Sequence, residues 1–267
     1  MALEALLFDV DGTLADTERD GHRTAFNMAF AAAGLDWDWD VPLYGKLLAV
    51  TGGKERIRYY LDNFNTAFER PAALDNFIAS LHKAKTAHYT ALLAQGAIPL
   101  RPGVERLLNE ARDAGLRLAI ATTTTPANVE ALLVNTLGKK SMEWFEVIAA
   151  GDIVPAKKPA ADIYTYALEQ MKLTADKGFA FEDSRNGILS AQAADLPVLI
   201  TVNGYTAHDD FSGAALVLSD MGEPDAPFKV LAGEAKNAQY VSIDLVKQLH
   251  QTMSRTHDIR TQSHGSY

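Results

Sequence analysis

The chain has 267 residues, 48% of them hydrophobic, with 34 acidic side chains against 25 basic ones and no cysteine. A net charge of -9 argues against a general binder of nucleic acid or anionic membrane, and the lack of cysteine excludes disulfides, thiolate metal sites and thiol nucleophiles. The length suits a main domain with a smaller second one.

The start, Met1-Ala2-Leu3-Glu4, lacks the basic flank and apolar core of a signal peptide, and no apolar run approaches a membrane span. The expectation is a soluble protein of the cytoplasm, or of a plastid stroma if a transit peptide has been removed. The first element is a strand over 5–8, the apolar run Ala5-Leu6-Leu7-Phe8. Helical spacing follows over 17–33, 54–64 and 72–95, with no strand between, which predicts an all-helical insertion over 17–96. Beyond it, helices over 103–114, 126–137, 159–171 and 186–194 alternate with short, nearly continuous apolar runs over 116–121, 145–149, 178–181, 198–201 and 216–218. Pro126 and Pro159 each suit a helix first turn, and Thr125 suits the cap before Pro126.

Strands buried on both faces and separated by helices predict an α/β class, a doubly wound parallel sheet. Its core domain spans 1–16 and 97–250, the helical cap domain 17–96, and 251–267 is expected to be a mobile polar tail. Residues 17–95 hold nine Lys or Arg and nine Asp or Glu, so an anionic substrate is expected to find its cations mainly there.

Ligands of open parallel sheets sit outside the carboxyl ends of the strands. Asp9 and Asp11 follow the first strand, Thr122, Thr123 and Thr124 follow another, and Glu182-Asp183-Ser184 a third; Lys157-Lys158-Pro159 enters a helix. Each alone suits an ordinary turn or helix cap. A calcium loop is discarded because Gly12 follows Asp11 at once and Leu14 breaks the ligand series. Together the four suit phosphoryl transfer. A phosphomonoester brings about two negative charges to a nucleophilic carboxylate, and a hard divalent cation held by carboxylates, helped by one lysine, offsets the repulsion. Like-charged neighbours are expected to raise the Asp11 pKa, keeping a proton for the leaving oxygen.

These elements, in this order and with a helical insertion after the first, resemble the haloacid dehalogenase (HAD) superfamily of phosphotransferases over about residues 3–220. The resemblance implies a Rossmannoid core, a cap that closes over the site and an aspartyl-phosphate mechanism with Mg2+. It implies Asp9 as nucleophile and Asp11 as general acid, then base. Thr122 and the Thr123 amide would hold phosphoryl oxygens, with Lys158 neutralising charge. The metal would be held by Asp9, the Asp11 carbonyl, Asp183 and Glu182. Ala161 stands where the family pattern Lys-Pro-x-Pro-Asp has its second proline.

The stretches Asp16-Thr17-Glu18, Thr51-Gly52-Gly53-Lys54-Glu55-Arg56-Ile57 and His82-Lys83-Ala84-Lys85-Thr86 resemble, more closely, the CbbY-type phosphatases of sugar bisphosphates. That resemblance implies hydrolysis of xylulose-1,5-bisphosphate, an inhibitory side product of Rubisco in carbon fixation, to xylulose 5-phosphate. A second phosphate needs cations from the cap, for which Lys54 and Arg56 are candidates, and Gly52 and Gly53 would admit close backbone approach. Glu18, His22, Arg23 and Lys85 complete the expected substrate-binding set. A nucleotide loop is rejected because Leu48 and Glu55 stand where Gly and Ser or Thr are required. The expected partner is a small sugar phosphate, with no nucleic acid or membrane, and the chain is expected to be a monomer. The alternatives are a β-phosphoglucomutase-like mutase, a phosphoglycolate-type phosphatase and, last, a regulatory protein on the same fold.

Overall fold

The computed structural model describes residues 2–263. Strands β1 (Ala5–Phe8), β2 (Arg117–Thr122), β3 (Phe145–Ala150), β4 (Gly178–Glu182), β5 (Val198–Thr201), β6 (Leu216–Leu218) and β7 (Val230–Gly233) form one sheet in the order β3-β2-β1-β4-β5-β6-β7. All neighbours are parallel except β6 and β7. Phe8 pairs with Ile120 on one side and Phe181 on the other, so the chain leaves β1, β2 and β4 at one level. Alternate side chains serve opposite faces: Leu6 and Phe8 join one apolar cluster, Ala5 and Leu7 another. This is the doubly wound parallel architecture that the continuous apolar runs predict.

Between β1 and β2 the chain forms only helices: a π-helical turn, Glu18–His22, running into α1 (Arg23–Ala32), then α2 (Val41–Leu47), α3 (Gly53–Asn63) and α4 (Leu74–Ala94), before α5 (Val104–Asp113) returns to the sheet. Their core is separate from the two sheet clusters, with Trp39 4.7 Å from Phe26 and 4.9 Å from Phe30 between ring centroids. The base of the insertion is joined to the sheet: Tyr89 and Leu93 of α4 belong to the cluster that holds Phe8. Outgoing and returning chains lie side by side, Ala15 bridging Leu100.

Helices α6 (Pro126–Leu137), α7 (Asp162–Met171), α8 (Arg185–Ala193) and α9 (Ile243–Ser263) complete the fold. Thr125 caps α6 as expected, its hydroxyl accepting from the Asn128 amide at 3.4 Å. Pro159 does not begin a helix: the chain first turns, Ala160 N–H donating to the Lys157 carbonyl, and α7 starts at Asp162. Three of these elements, α2, β7 and α9, were not expected from the sequence. Asp40 caps α2 through the Leu43 amide, and β7 adds an antiparallel edge to β6. The polar stretch from 251 continues α9 as far as Ser263; residues 264–267, the rest of the expected tail, lie outside the described residues. No helix among the described residues is long and apolar enough to cross a membrane.

Candidate active site

The shared strand level brings the expected strand-end groups together. Asp9 is buried, its amide held by the Phe181 carbonyl at 3.0 Å. Lys158 Nζ donates to Asp9 Oδ1 at 2.7 Å and to Glu182 Oε1 at 2.5 Å, and Tyr164 OH donates to the same Glu182 oxygen at 2.6 Å. Burial opposes the Lys158 charge, but the two carboxylates outweigh it and raise its pKa above that of an ordinary lysine. Lys157 takes no part in this pair; it reaches Asp152 at 2.7 Å.

One oxygen from each of Asp9, Glu182 and Asp183 lies within 4.8 Å of the others, all three residues being buried. Burial pushes the Asp9 carboxyl up, Glu182 adding to that effect and Lys158 opposing it. Burial, then Asp9 and Glu182, likewise push Asp183 well up, with Arg101 opposing. Glu182 Oε2 is buried without a protein partner. Three crowded carboxylates with an orphaned oxygen fit a hard divalent cation, whose charge would reverse these shifts.

Two glycines hold this triad close. A Cβ on Gly12, whose φ is 91°, would stand 2.1 Å from Asp183 Oδ2, and one on Gly187 would stand 1.9 Å from Glu182 Oε2. Helix propensity alone predicts that Gly187→Ala stabilises α8 by about 1 kcal/mol. The Glu182 carboxylate is held through Oε1 by Lys158 and Tyr164, so retreat from a new Cβ would strain or break those bonds. Gly187→Ala is therefore expected to destabilise by about 1–3 kcal/mol and to weaken divalent-cation binding, as calorimetry and thermal melting would read. A higher melting temperature with unchanged cation binding would contradict this.

Asp11 departs from its expected state. Burial disfavours its charge, but His22, Thr17 and Lys85 together hold its carboxyl well below the usual carboxylate range. Thr17 Oγ1 donates to Asp11 Oδ1 at 2.6 Å, and His22 Nε2 lies 2.7 Å from the same oxygen. Lys85 Nζ stands 2.6 Å from His22 Nδ1, so the ammonium donates to Nδ1 and leaves Nε2–H for Asp11. Burial also pushes Lys85 down to about 8. His22 and Lys85 thus engage Asp11 and do not line the cavity.

That cavity, about 430 Å3, opens between the strand ends and the insertion. Asp9, Asp11, Thr122, Thr123, Lys158, Glu182 and Asp183 line it from the sheet side, Glu18 and Arg56 from the insertion. Tyr44 joins the last two, its OH donating to Glu18 Oε2 at 2.5 Å and accepting from Arg56 Nη1 at 2.7 Å.

Besides His22 and Lys85, four more of the expected substrate ligands lie elsewhere. Lys54 is drawn to Asp152 at 2.5 Å, and Arg23 donates to the Arg19 and Trp39 carbonyls. Neither residue, nor Gly52 or Gly53, lines the cavity. The cations that do are Arg56 of the insertion with Lys158 and Arg185 of the sheet side, so the segment 17–95 is not their main source.

Sequence reasoning did not find Tyr44, Tyr164, Arg101 or Asn203. Asn203 Nδ2 donates to Asp183 Oδ2 at 2.6 Å. It follows β5 by two residues, so the same strand-end rule was available to find it.

Residues 3–195 match the family model of haloacid dehalogenase-like hydrolases. The chain is 52% identical over 221 residues to protein CbbY of Rhodobacter capsulatus, covering 83% of this chain and 95% of that one. It is 48% identical over 225 residues to the plasmid protein CbbY of Cupriavidus necator, covering 84% and 88%. The crystal structure of CbbY from Rhodobacter sphaeroides in complex with phosphate is similar at a TM-score of 0.76 and 49% identity, over 82% of this chain and 94% of that one. A mutant of that relative, similar at a TM-score of 0.76 and 48% identity over 82% and 94%, was crystallised with xylulose-1,5-bisphosphate.

Proposed function

The chain belongs to the haloacid dehalogenase-like hydrolases and is a phosphatase, and from that premise we propose that it hydrolyses a sugar bisphosphate, xylulose-1,5-bisphosphate, to xylulose 5-phosphate and phosphate through a phosphorylated Asp9. The observation that carries this reading is the convergence of Asp9, Lys158 and the acidic triad at the floor of a cavity that meets Arg56 and Glu18 on its other wall. A catalytic floor faced by a buried guanidinium suits a substrate with a phosphate at each end. The xylulose-1,5-bisphosphate bound to a relative similar over 82% of this chain supports the choice of sugar.

In this reading an Asp9 oxygen attacks phosphorus while the bond to the sugar oxygen breaks, and Asp11 gives that oxygen its proton. Water then attacks phosphorus of the acyl phosphate, Asp11 takes the water's proton, and phosphate leaves with Asp9 restored. Lys158 neutralises charge between Asp9 and the transferring group, and Thr122 and Thr123 hold its oxygens. Asp9, Asp183, Glu182 and the Asp11 carbonyl would hold Mg2+, which when bound supplies positive charge opposite the phosphoryl oxygens. Thr17 and His22 hold Asp11 ionised, so before it can act as an acid it must leave them for the substrate oxygen and take up a proton from water, and the helical insertion serves as a cap whose closure then excludes bulk water.

A panel of sugar mono- and bisphosphates with Mg2+ tests the reading. The expected result is the highest kcat/KM for xylulose-1,5-bisphosphate with one phosphate released per turnover. An isomerised monophosphate without free phosphate would make the enzyme a mutase instead. Arg56→Ala separates substrates further: KM for the bisphosphate is expected to rise about 10–100-fold, as loss of a charge-assisted phosphate contact implies, with little change for small monophosphates. Equal losses on both classes would remove Arg56 from the second phosphate.

A further inference from the structure

Arg101 is a buried cation at the point where the insertion rejoins the sheet, with its own amide donating to the Leu14 carbonyl at 2.8 Å. Its guanidinium does not enter the cavity. It is spent on backbone carbonyls from three separate strand ends. Nη1 donates to the Gly12 carbonyl, to the Thr201 carbonyl at 3.0 Å and to Thr201 Oγ1 at 3.2 Å. Nη2 donates to the Val202 carbonyl at 2.5 Å and the Ser219 carbonyl at 2.7 Å. The carboxylate paired with it, Asp16, is exposed and stands 3.7 Å from Nε. A planar fork can satisfy several carbonyls in fixed directions, which an ammonium on a flexible stem cannot.

Two of these contacts lead to the same catalytic carboxylate. Gly12, whose carbonyl Arg101 holds, is pressed so close to Asp183 that a Cβ there would meet Oδ2 at 2.1 Å. Val202, whose carbonyl Arg101 also holds, precedes Asn203, whose Nδ2 donates to that same Oδ2 at 2.6 Å. Backbone from one side and an amide from the other therefore fix Asp183, and one guanidinium fixes both. We propose that Arg101 is a positioning residue of the active site: acting through Gly12 and Asn203, it sets where the Asp183 carboxylate stands. The proposal rests on the phosphatase reading of this site but not on the identity of the sugar.

Ordinary stabilisation of the fold predicts a different outcome from positioning. Displacing a catalytic group by about 1 Å costs on the order of 100-fold in rate. Arg101→Lys keeps the charge and loses the fork. In the full chain with Mg2+, its kcat is expected to fall about 100-fold on p-nitrophenyl phosphate and on xylulose-1,5-bisphosphate alike. KM should stay close to the unsubstituted value, and the melting temperature should fall, because buried carbonyls lose partners, while the variant stays folded at the assay temperature. Arg101→Ala is expected to regain at least about tenfold in kcat with millimolar guanidinium, which can re-form the planar contacts, and not with ammonium at the same concentration.

The aryl phosphate keeps the test independent of the sugar: if xylulose-1,5-bisphosphate is no substrate, that substrate reading fails while the Arg101 comparison still reads out. An Arg101→Lys enzyme with undiminished kcat overturns the proposal. So does an Arg101→Ala enzyme that ammonium rescues as well as guanidinium does. Failure of both variants to fold would make Arg101 a folding residue and overturn it equally.

Discussion

Asp9→Asn is expected to abolish phosphate release, by at least about 10⁴-fold, in a protein that remains folded. The amide keeps the shape of the side chain and removes both the negative charge and the oxygen proposed to attack phosphorus. The fold should tolerate this because burial and Glu182 disfavour the native charge more than Lys158 favours it, so the Asp9 pKa is raised on folding. A carboxyl with a raised folded pKa contributes most below its unfolded pKa, and that contribution is lost as pH rises through the folded pKa. At neutral pH, Asp9→Asn is therefore expected to melt no lower than the unsubstituted chain. Phosphate assays beside thermal melting separate the two effects. Retained turnover would exclude Asp9 as nucleophile, whereas loss of folding would leave the carboxylate as a structural group.

Lys158→Met carries the second large effect. The ammonium lies between Asp9 and Glu182, and all three side chains are almost completely withdrawn from water. Met fills much of the same space but leaves two buried carboxylates facing each other. Removing one partner from such a buried ionic group costs about 3–5 kcal/mol. The melting temperature should fall accordingly without divalent cation and recover in part with Mg2+, which takes over some of the lost positive charge. Activity should not recover with it. A fixed cation beside the transferring phosphoryl group supplies stabilisation that grows in the transition state, and its loss is expected to lower kcat roughly 10³-fold. If the variant kept its kcat and lost only stability, Lys158 would be a structural counter-ion.

The parts of this site that follow directly from chain direction were legible. An apolar run buried on both faces must end where polar residues can meet, so Asp9, Thr122 and Glu182-Asp183 could be placed together before any coordinates. Lys158 was legible by resemblance, though its neighbour Lys157 has the same chemistry; what separates them is that Lys157 turns to Asp152 and Lys158 to Asp9.

Charge alone could not tell which face of the insertion meets the cavity. Lys54 and Arg56 lie two residues apart on α3, so helical geometry sends them in different directions, one to Asp152 and the other to Tyr44 and the cavity wall. The Asp11 pKa was misjudged because its nearest partners, Thr17, His22 and Lys85, come from the insertion and not from the triad. Arg101 and Tyr44 were hidden for a related reason. Their partners are backbone carbonyls and side chains of distant segments, and neither carries a local spacing that announces the contact. The missed β7 is a short edge strand that pairs only with β6, and its four residues are all exposed, so it lacks the buried apolar signature that revealed the others.

Rapid acid quench with substrate labelled in the transferring phosphate tests the mechanism most directly. During the first turnovers the account predicts acid-stable, base-labile label on the protein, not exceeding one per chain. Borohydride reduction followed by peptide mapping should place it at Asp9. Phosphate released at full rate with no protein-bound label at any quench time, or label mapped to another residue, would contradict the account.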